Sequence, residues 1–171
     1  MEDILLDKGK KLLLMGSKTF DAPKLPELVK HYIDAAIKHK MLIIVGEAKG
    51  ACRLYQDYLH TIGYLEVIVG HARSLRYNAG NWPDIKYGDD LREREKNMIE
   101  DCDTAIVIWV NKSSVIAGNL ERLKWLGKPT FLYECSNYSD QKAAGPLNPN
   151  RIYEPFLYQK LREKYGDQPI R

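Results

Sequence analysis

The sequence predicts an α/β protein of the Rossmann-like kind: a doubly wound, mostly parallel sheet of five strands with helices on both faces. Short apolar runs alternate with segments that repeat apolar residues at helical spacing. The apolar runs are also hydrophobic at nearly every position rather than at every second one. Strands that are apolar on both faces belong in a parallel sheet covered by helices on each side.

The amino-terminal part of the chain contains two predicted helices between three predicted strands. Residues 26–38 place apolar residues at i, i+1, i+4 and i+5, which predicts the first crossover helix. A second helix is predicted over 51–62. Its end is indicated by Gly63, which stands where a left-handed C-cap belongs. The predicted strands are KLLLM at 11–15, MLIIV at 41–45 and LEVIV at 65–69.

A long polar and aromatic segment, GHARSLRYNAGNWPDIKYGDD at 70–90, is predicted to be a loop. Loops of that length inside a compact domain are usually functional or mobile. The elements predicted after it are a charged helix from near Leu91, the strand TAIVIWV at 104–110, a helix capped by Ser113 or Ser114 and running to Leu126, and the strand TFLYE at 130–134.

The whole chain of 171 residues is predicted to be a single Rossmann-like domain, 1–171. Residues 138–171 form a carboxy-terminal extension, in which 152–165 has the apolar spacing of one helix. That helix packs either on the body of the domain or on a second subunit, and we expect a homo-oligomer, most simply a dimer.

Composition narrows the function classes. The 26 basic and 23 acidic residues give a net charge of +3 without basic clusters, which disfavours nucleic acid as a partner. No segment approaches the roughly 18 apolar residues of a membrane span, and the amino terminus has no signal-peptide pattern. Three separated cysteines without partners at metal spacing indicate a reduced, cytoplasmic protein, for which we predict neither a metal nor a cofactor.

The candidate site follows from the predicted topology. Ligands of an open parallel sheet bind beyond the carboxyl ends of the strands, where the strand order reverses. This selects the loops at 16–19, 46–51 and 111–119, each rich in Gly, Ser or Asn and each opening toward a helix whose free N–H groups favour phosphate. The loop at 46–51 has neither the dinucleotide fingerprint nor the P-loop ending, so we predict one pocket with three walls. Each loop alone is equally consistent with an ordinary turn.

Four stretches within residues 11–134 carry a family resemblance: LLLMGSKTF, IIVGEAKGA, REREKNMIEDCDTAIVIW and NLERLKWLGKP. In this order they resemble motifs of the SLOG superfamily, a Rossmann-like group that includes the DNA-processing protein DprA and the LOG phosphoribohydrolases, and most of all its YspA-like branch. The resemblance implies a site for a nucleotide or an ADP-ribose-like molecule. The matching residues are Gly16, Ser17, Lys18, Gly46, Ala48, Gly50, Ala51, Arg94, Ser113, Ser114 and Asn119.

The chain also departs from the family pattern. Val115-Ile116 stand where the family has Gly-Thr, and Cys52 replaces an Asp of the second loop. The segment NKSSVIAGNLE keeps little of the LOG motif beyond Glu121. The resemblance therefore favours ligand binding over LOG-type phosphoribohydrolase activity.

Individual residues have competing interpretations. Glu47 either binds a ribose diol or takes part in N-glycosidic cleavage, or it is a solvated turn residue. Glu121 is either a nucleophile, as in nucleoside deoxyribosyltransferases, or part of a solvent-exposed helix face. Arg76 and Trp82 lie in the basic and aromatic loop, which suits phosphate binding and base stacking, but Trp82 also suits a loop anchor. Cys52, near a helix amino terminus, is either reactive or inert packing.

Three functions remain open. The first is a cytoplasmic nucleotide-binding module that acts as a sensor or binding protein. The second is an enzyme that cleaves or transfers at an N-glycosidic bond, with Glu47 or Glu121 as a catalytic residue. The third, binding of single-stranded DNA as by DprA, is disfavoured by the small net charge.

Overall fold

A computed structural model describes residues 10–136, in which six strands and four helices are found. The strands are β1 (Lys11–Gly16), β2 (Leu42–Val45), β3 (Val67–His71), β4 (Asp84–Lys86), β5 (Thr104–Val110) and β6 (Thr130–Cys135). The helices are α1 (Glu27–Lys38), α2 (Ala51–Thr61), α3 (Leu91–Asp101) and α4 (Ser114–Trp125). Gly63 has a φ of 75° after α2, as the predicted C-cap requires.

The strands form one parallel sheet in the order β4-β3-β2-β1-β5-β6. The prediction of five strands was wrong, because β4 lies inside the segment predicted as a loop. It pairs with β3 through Val69↔Asp84 and His71↔Lys86, and Asp84 Oδ2 lies 2.7 Å from His71 Nε2. Since its three residues are all exposed, β4 has none of the apolar pattern by which a buried strand is predicted.

Helices cover both faces of the sheet, which confirms the doubly wound architecture. One core, with Leu12 and Leu14 of β1, is packed against α1 and α2. The other core, with Leu13 and Met15, is packed against α3 and α4. Alternate residues of a strand point to opposite faces, so a strand that is apolar throughout serves both cores.

The strand order reverses at β1. From β1 the chain proceeds outward through β2, β3 and β4 on one side, whereas β5 and β6 lie on the other. The loops that follow β1, β2 and β5 therefore meet at one edge of the sheet, as predicted.

The predicted carboxy-terminal helix and the predicted homodimer are not tested by the described residues. The helix predicted over 152–165 lies outside the described residues, and the homodimer stays a prediction. Among residues 10–136, no helix combines the length and the apolar character that crossing a membrane requires.

Candidate functional site

Ser17 joins the loop after β1 to the end of β5. Its backbone N–H donates to the Ile108 carbonyl at 2.9 Å, and its Oγ accepts the backbone N–H of Val110, also at 2.9 Å. The Oγ atoms of Ser17 and Ser113 are 3.4 Å apart. The buried Ser17 therefore holds the first and third predicted loops together across the point where the strand order reverses.

The second loop packs against the first without space between them. A Cβ on Gly50 would lie 2.5 Å from the Lys18 carbonyl oxygen, and Gly50 has a φ of 80°. The first N–H of α2, on Ala51, donates to the Ser17 carbonyl at 3.2 Å. This N–H already has an acceptor, and the contact fastens the loop at 46–51 to the loop at 16–19. We call Gly16, Ser17, Gly50 and Ser113 the serine side.

The loop after β5 turns sharply. Asn111 and Lys112 have φ values of 51° and 50°, and the Ser113 N–H donates to the Val110 carbonyl at 3.1 Å. Positive φ at two central residues is typical of a type I′ turn. Ser113 is the N-cap residue of α4 but makes no side-chain cap hydrogen bond, and Ser114 is exposed. The turn therefore directs the Ser113 hydroxyl toward Ser17.

Glu47, the acidic residue of the second loop, is not a solvated turn residue. Only 1% of its side chain is exposed. Its Oε2 accepts the backbone N–H groups of Arg76 and of Tyr77, the latter at 3.3 Å. Its Oε1 accepts a hydrogen bond from Arg76 Nε at 3.1 Å and lies 3.9 Å from Arg94 Nη1. Both carboxylate oxygens of Glu47 thus have partners, and the carboxylate joins the β3–β4 loop (residues 72–83) to α3.

Arg94 is a buried cation at this site, with 5% of its side chain exposed. Within residues 10–136, its Nε and Nη1 have no hydrogen-bond acceptor. Burying unpaired polar groups costs free energy, so such groups need an explanation in terms of function or a further partner. Arg94 is positioned by the first turn of α3, where the Asp90 side chain caps the helix by accepting the Glu93 N–H at 2.8 Å.

Two side chains extend this charged cluster. Glu95 Oε1 lies 3.8 Å from Arg94 Nη2, and Glu95 Oε2 accepts a hydrogen bond from Asn119 Nδ2 at 3.1 Å. Asn119 on α4 is therefore linked to Arg94 through Glu95. We call Glu47, Arg76, Arg94, Glu95 and Asn119 the charged side.

Cys52 is buried next to the Gly46 backbone. Burial raises the pKa of its thiol to about 11, although the nearby Arg94 charge acts in the opposite direction. At neutral pH the group is therefore a protonated thiol, which supports the interpretation as inert packing.

Sequence reasoning missed Gln56. This fully buried side chain donates from Nε2 to the Gly46 carbonyl at 2.8 Å and to the Tyr77 carbonyl at 3.3 Å, and its Oε1 accepts the Ala79 N–H at 2.9 Å. Gln56 thus fastens the β3–β4 loop beside Glu47. Its signal in the sequence is a single polar residue on the apolar face of α2, among Cys52, Tyr55 and Leu59.

Some predicted site residues lie elsewhere. Trp82 is buried, and its Nε1 donates to the Tyr64 carbonyl at 2.8 Å, beyond the carboxyl end of α2. The three loops adjoin the opposite end of that helix, so Trp82 anchors the β3–β4 loop and is not brought to the site. Glu121 is exposed on α4. In contrast, Lys18 and Ala48 lie in the first and second loops, where Lys18 is exposed and Ala48 is partly buried.

No family model, no curated protein and no solved structure matches this chain. Among the described residues, no three His, Cys, Asp or Glu side chains are grouped so that they could hold a metal ion. The site's own geometry is therefore the basis for a functional proposal.

Proposed function

We propose that the protein is a nucleotide-binding module of the SLOG type, which works in the cytoplasm as a sensor or binding protein for a nucleotide or an ADP-ribose-like ligand. The observation that carries the proposal is Arg94. A buried guanidinium with two nitrogens that lack acceptors among residues 10–136, beside the loops where a parallel sheet binds its ligands, suits a phosphate group.

The serine side supports the same ligand class. The turn after β5 leads directly into α4, and the positive end of a helix dipole favours an anion. Hydroxyl groups of Ser17 and Ser113 lie in this loop pair, and hydroxyls form hydrogen bonds with both phosphate and sugar. A ligand that joins a phosphate to a ribose would contact both sides of the site.

The surroundings of the two candidate catalytic carboxylates favour binding over N-glycosidic cleavage. The oxygens of Glu47 already accept hydrogen bonds from the β3–β4 loop, and Glu121 is exposed on α4. A general base or nucleophile must instead reach its substrate atom within hydrogen-bonding distance.

The test measures binding and turnover on the same samples. AMP, ADP-ribose and adenosine are titrated into the protein by calorimetry, with thermal unfolding recorded in parallel. We expect the two phosphate-containing probes to bind and to raise the Tm. Loss of the guanidinium in Arg94→Gln should weaken their binding by about tenfold or more, since hydrogen bonds to charged groups contribute about 1.5–3 kcal/mol. Arg92→Gln, an exposed change on the same helix, should leave the affinity unchanged.

Chromatography of the titrated samples then detects free adenine. Release of adenine that Glu47→Gln or Glu121→Gln abolishes would establish the enzymatic alternative and contradict a pure binding role. Equal affinity in wild type and Arg94→Gln would refute the proposed site.

A further inference from the structure

The Glu47 carboxylate lies between two arginines that differ in their access to solvent. Its Oε1 is 3.1 Å from Arg76 Nε and 3.9 Å from Arg94 Nη1. The Arg76 side chain is 48% exposed, whereas that of Arg94 is 5% exposed. Arg76 is thus on the solvent side of Glu47 and Arg94 on its buried side, so an anion that approaches Arg94 past Arg76 meets the Glu47 carboxylate.

The same carboxylate holds the β3–β4 loop in place. Oε2 accepts the N–H groups of two consecutive residues, Arg76 and Tyr77. Two consecutive backbone N–H groups and one arginine side chain therefore depend on a single carboxylate. Here the anion that they bind belongs to the protein itself.

We infer that Glu47 is the resident anion of this site, which an entering phosphate group must displace from Arg94 and Arg76. The inference rests on the proposed function and adds a specificity-determining residue to it. A phosphate beside the arginines repels the carboxylate at close range, because like charges a few Å apart in a poorly solvated site are strongly unfavourable.

Displacement of Glu47 has a structural consequence. The N–H groups of Arg76 and Tyr77 lose their acceptor when the carboxylate moves, while Gln56 still holds Ala79. Phosphate binding is therefore coupled to release of residues 76 and 77 from the second loop. Adenosine, which carries no phosphate, does not compete with Glu47 and leaves the β3–β4 loop in place.

The first test follows hydrogen exchange of the Arg76 and Tyr77 amides by NMR in the wild-type protein. We expect saturating AMP or ADP-ribose to accelerate exchange at these two amides, whereas adenosine has no effect. Exchange at Ala79, whose acceptor is Gln56, serves as the internal reference. Unchanged or slower exchange at residues 76 and 77 with the phosphate probes bound would overturn the inference.

The second test uses the isosteric variant Glu47→Gln, which keeps an acceptor for the loop but removes the competing charge. We expect AMP and ADP-ribose to bind this variant about tenfold more tightly than wild type, a factor that corresponds to about 1.4 kcal/mol. Glu66→Gln makes the same chemical change at an exposed position and should leave the affinity unchanged. If the probes bind folded Glu47→Gln more weakly than wild type, Glu47 contributes to ligand binding directly, and the inference is overturned.

The two tests separate this inference from the proposed function. If the phosphate probes bind wild type but neither loop exchange nor the Glu47→Gln affinity changes as expected, only the role of Glu47 is refuted. If no probe binds wild type or Glu47→Gln, the proposed function itself is refuted. The exchange experiment needs no variant, so it remains decisive if Glu47→Gln does not fold.

Discussion

The serine side and the charged side of the site are built by different physical means. On the serine side, backbone groups and hydroxyls have partners, and the glycines leave no room for a side chain. On the charged side, Glu47 and Arg94 are buried at a separation of 3.9 Å, longer than a hydrogen bond. Two nitrogens of Arg94 have no acceptor within the part of the chain that the structure describes.

Under the proposed function, the serine side is mainly scaffold and the charged side mainly recognition. Close packing makes the serine side sensitive to volume and backbone strain, so changes there should lower the free energy of unfolding. Under the same proposal, a phosphate group competes for the ionic contacts of the charged side, so changes there should alter binding. The following predictions test the division, from the largest expected effect to the smallest.

Gly50→Ala tests the steric character of the serine side. The new Cβ would lie 2.5 Å from the Lys18 carbonyl oxygen at a residue whose φ is 80°. We expect a loss of about 3 kcal/mol or more in the free energy of unfolding, since both overpacking and backbone strain contribute. Urea unfolding monitored by circular dichroism measures the loss.

Gly63→Ala is the matched control. Its φ of 75° is similar, but a Cβ there meets no atom within 4 Å. We therefore expect a loss of only about 1–2 kcal/mol in the free energy of unfolding, from backbone strain alone. Equal losses of unfolding free energy in the two variants would mean that the contact of Gly50 with the first loop does not limit the space for a side chain.

The thiols test how tightly the interior of the protein is closed to a reagent, with Cys52 beside the site and Cys102 and Cys135 in the two cores. Burial raises the pKa of Cys52 to about 11 and those of Cys102 and Cys135 to about 12. The thiolate is the reactive form, so labelling by a disulfide reagent at pH 8 should be about a hundredfold slower for Cys52, and about a thousandfold slower for Cys102 and Cys135, than for an unfolded thiol. Mass spectrometry of labelled samples measures the rates, and denaturant should make all three thiols of the chain accessible. Rapid labelling of native Cys52 would contradict its enclosure.

Ser17→Ala tests the link between β1 and β5. The variant leaves the Val110 N–H without its side-chain acceptor, which should cost about 1–3 kcal/mol of unfolding free energy. Ser74→Ala, at an exposed position of the β3–β4 loop, should cost less than about 0.5 kcal/mol. If calorimetric unfolding gives the same Tm for both variants, the serine side is not a scaffold.

Lys112→Gly is expected to have the smallest effect, and a stabilising one. Lys112 has a φ of 50°, which glycine adopts more readily than lysine. Glycine relieves this strain but also raises the entropy of the unfolded chain, which offsets part of the gain. We expect the free energy of unfolding to rise by about 0.5 kcal/mol. Lys96→Gly, within α3, should instead destabilise by about 1 kcal/mol in the same thermal unfolding assay. Destabilisation of equal size in both would show that the turn after β5 carries no strain.

Much of the architecture was predictable because it depends on local periodicity. Apolar runs marked β1, β2, β3, β5 and β6, and helical spacing or charge pattern marked the four helices. The strand β4 could not be predicted, since an exposed three-residue edge strand depends on pairing with β3 rather than on its own hydrophobicity. The meeting of three loops was predictable from topology alone.

The sequence by itself determined which residue types stand at the carboxyl edge of the sheet: small residues and hydroxyls where backbones approach closely, and Glu47 within the second loop. Only the tertiary structure decided that Glu47 is buried and shared by Arg76 and Arg94, and that Gln56 fastens a loop. Periodicity reports which face of an element is buried, but not which distant charges meet. Glu47 and Arg76 are 29 residues apart, so their contact depends on how α2, the β3–β4 loop and α3 are packed around the sheet.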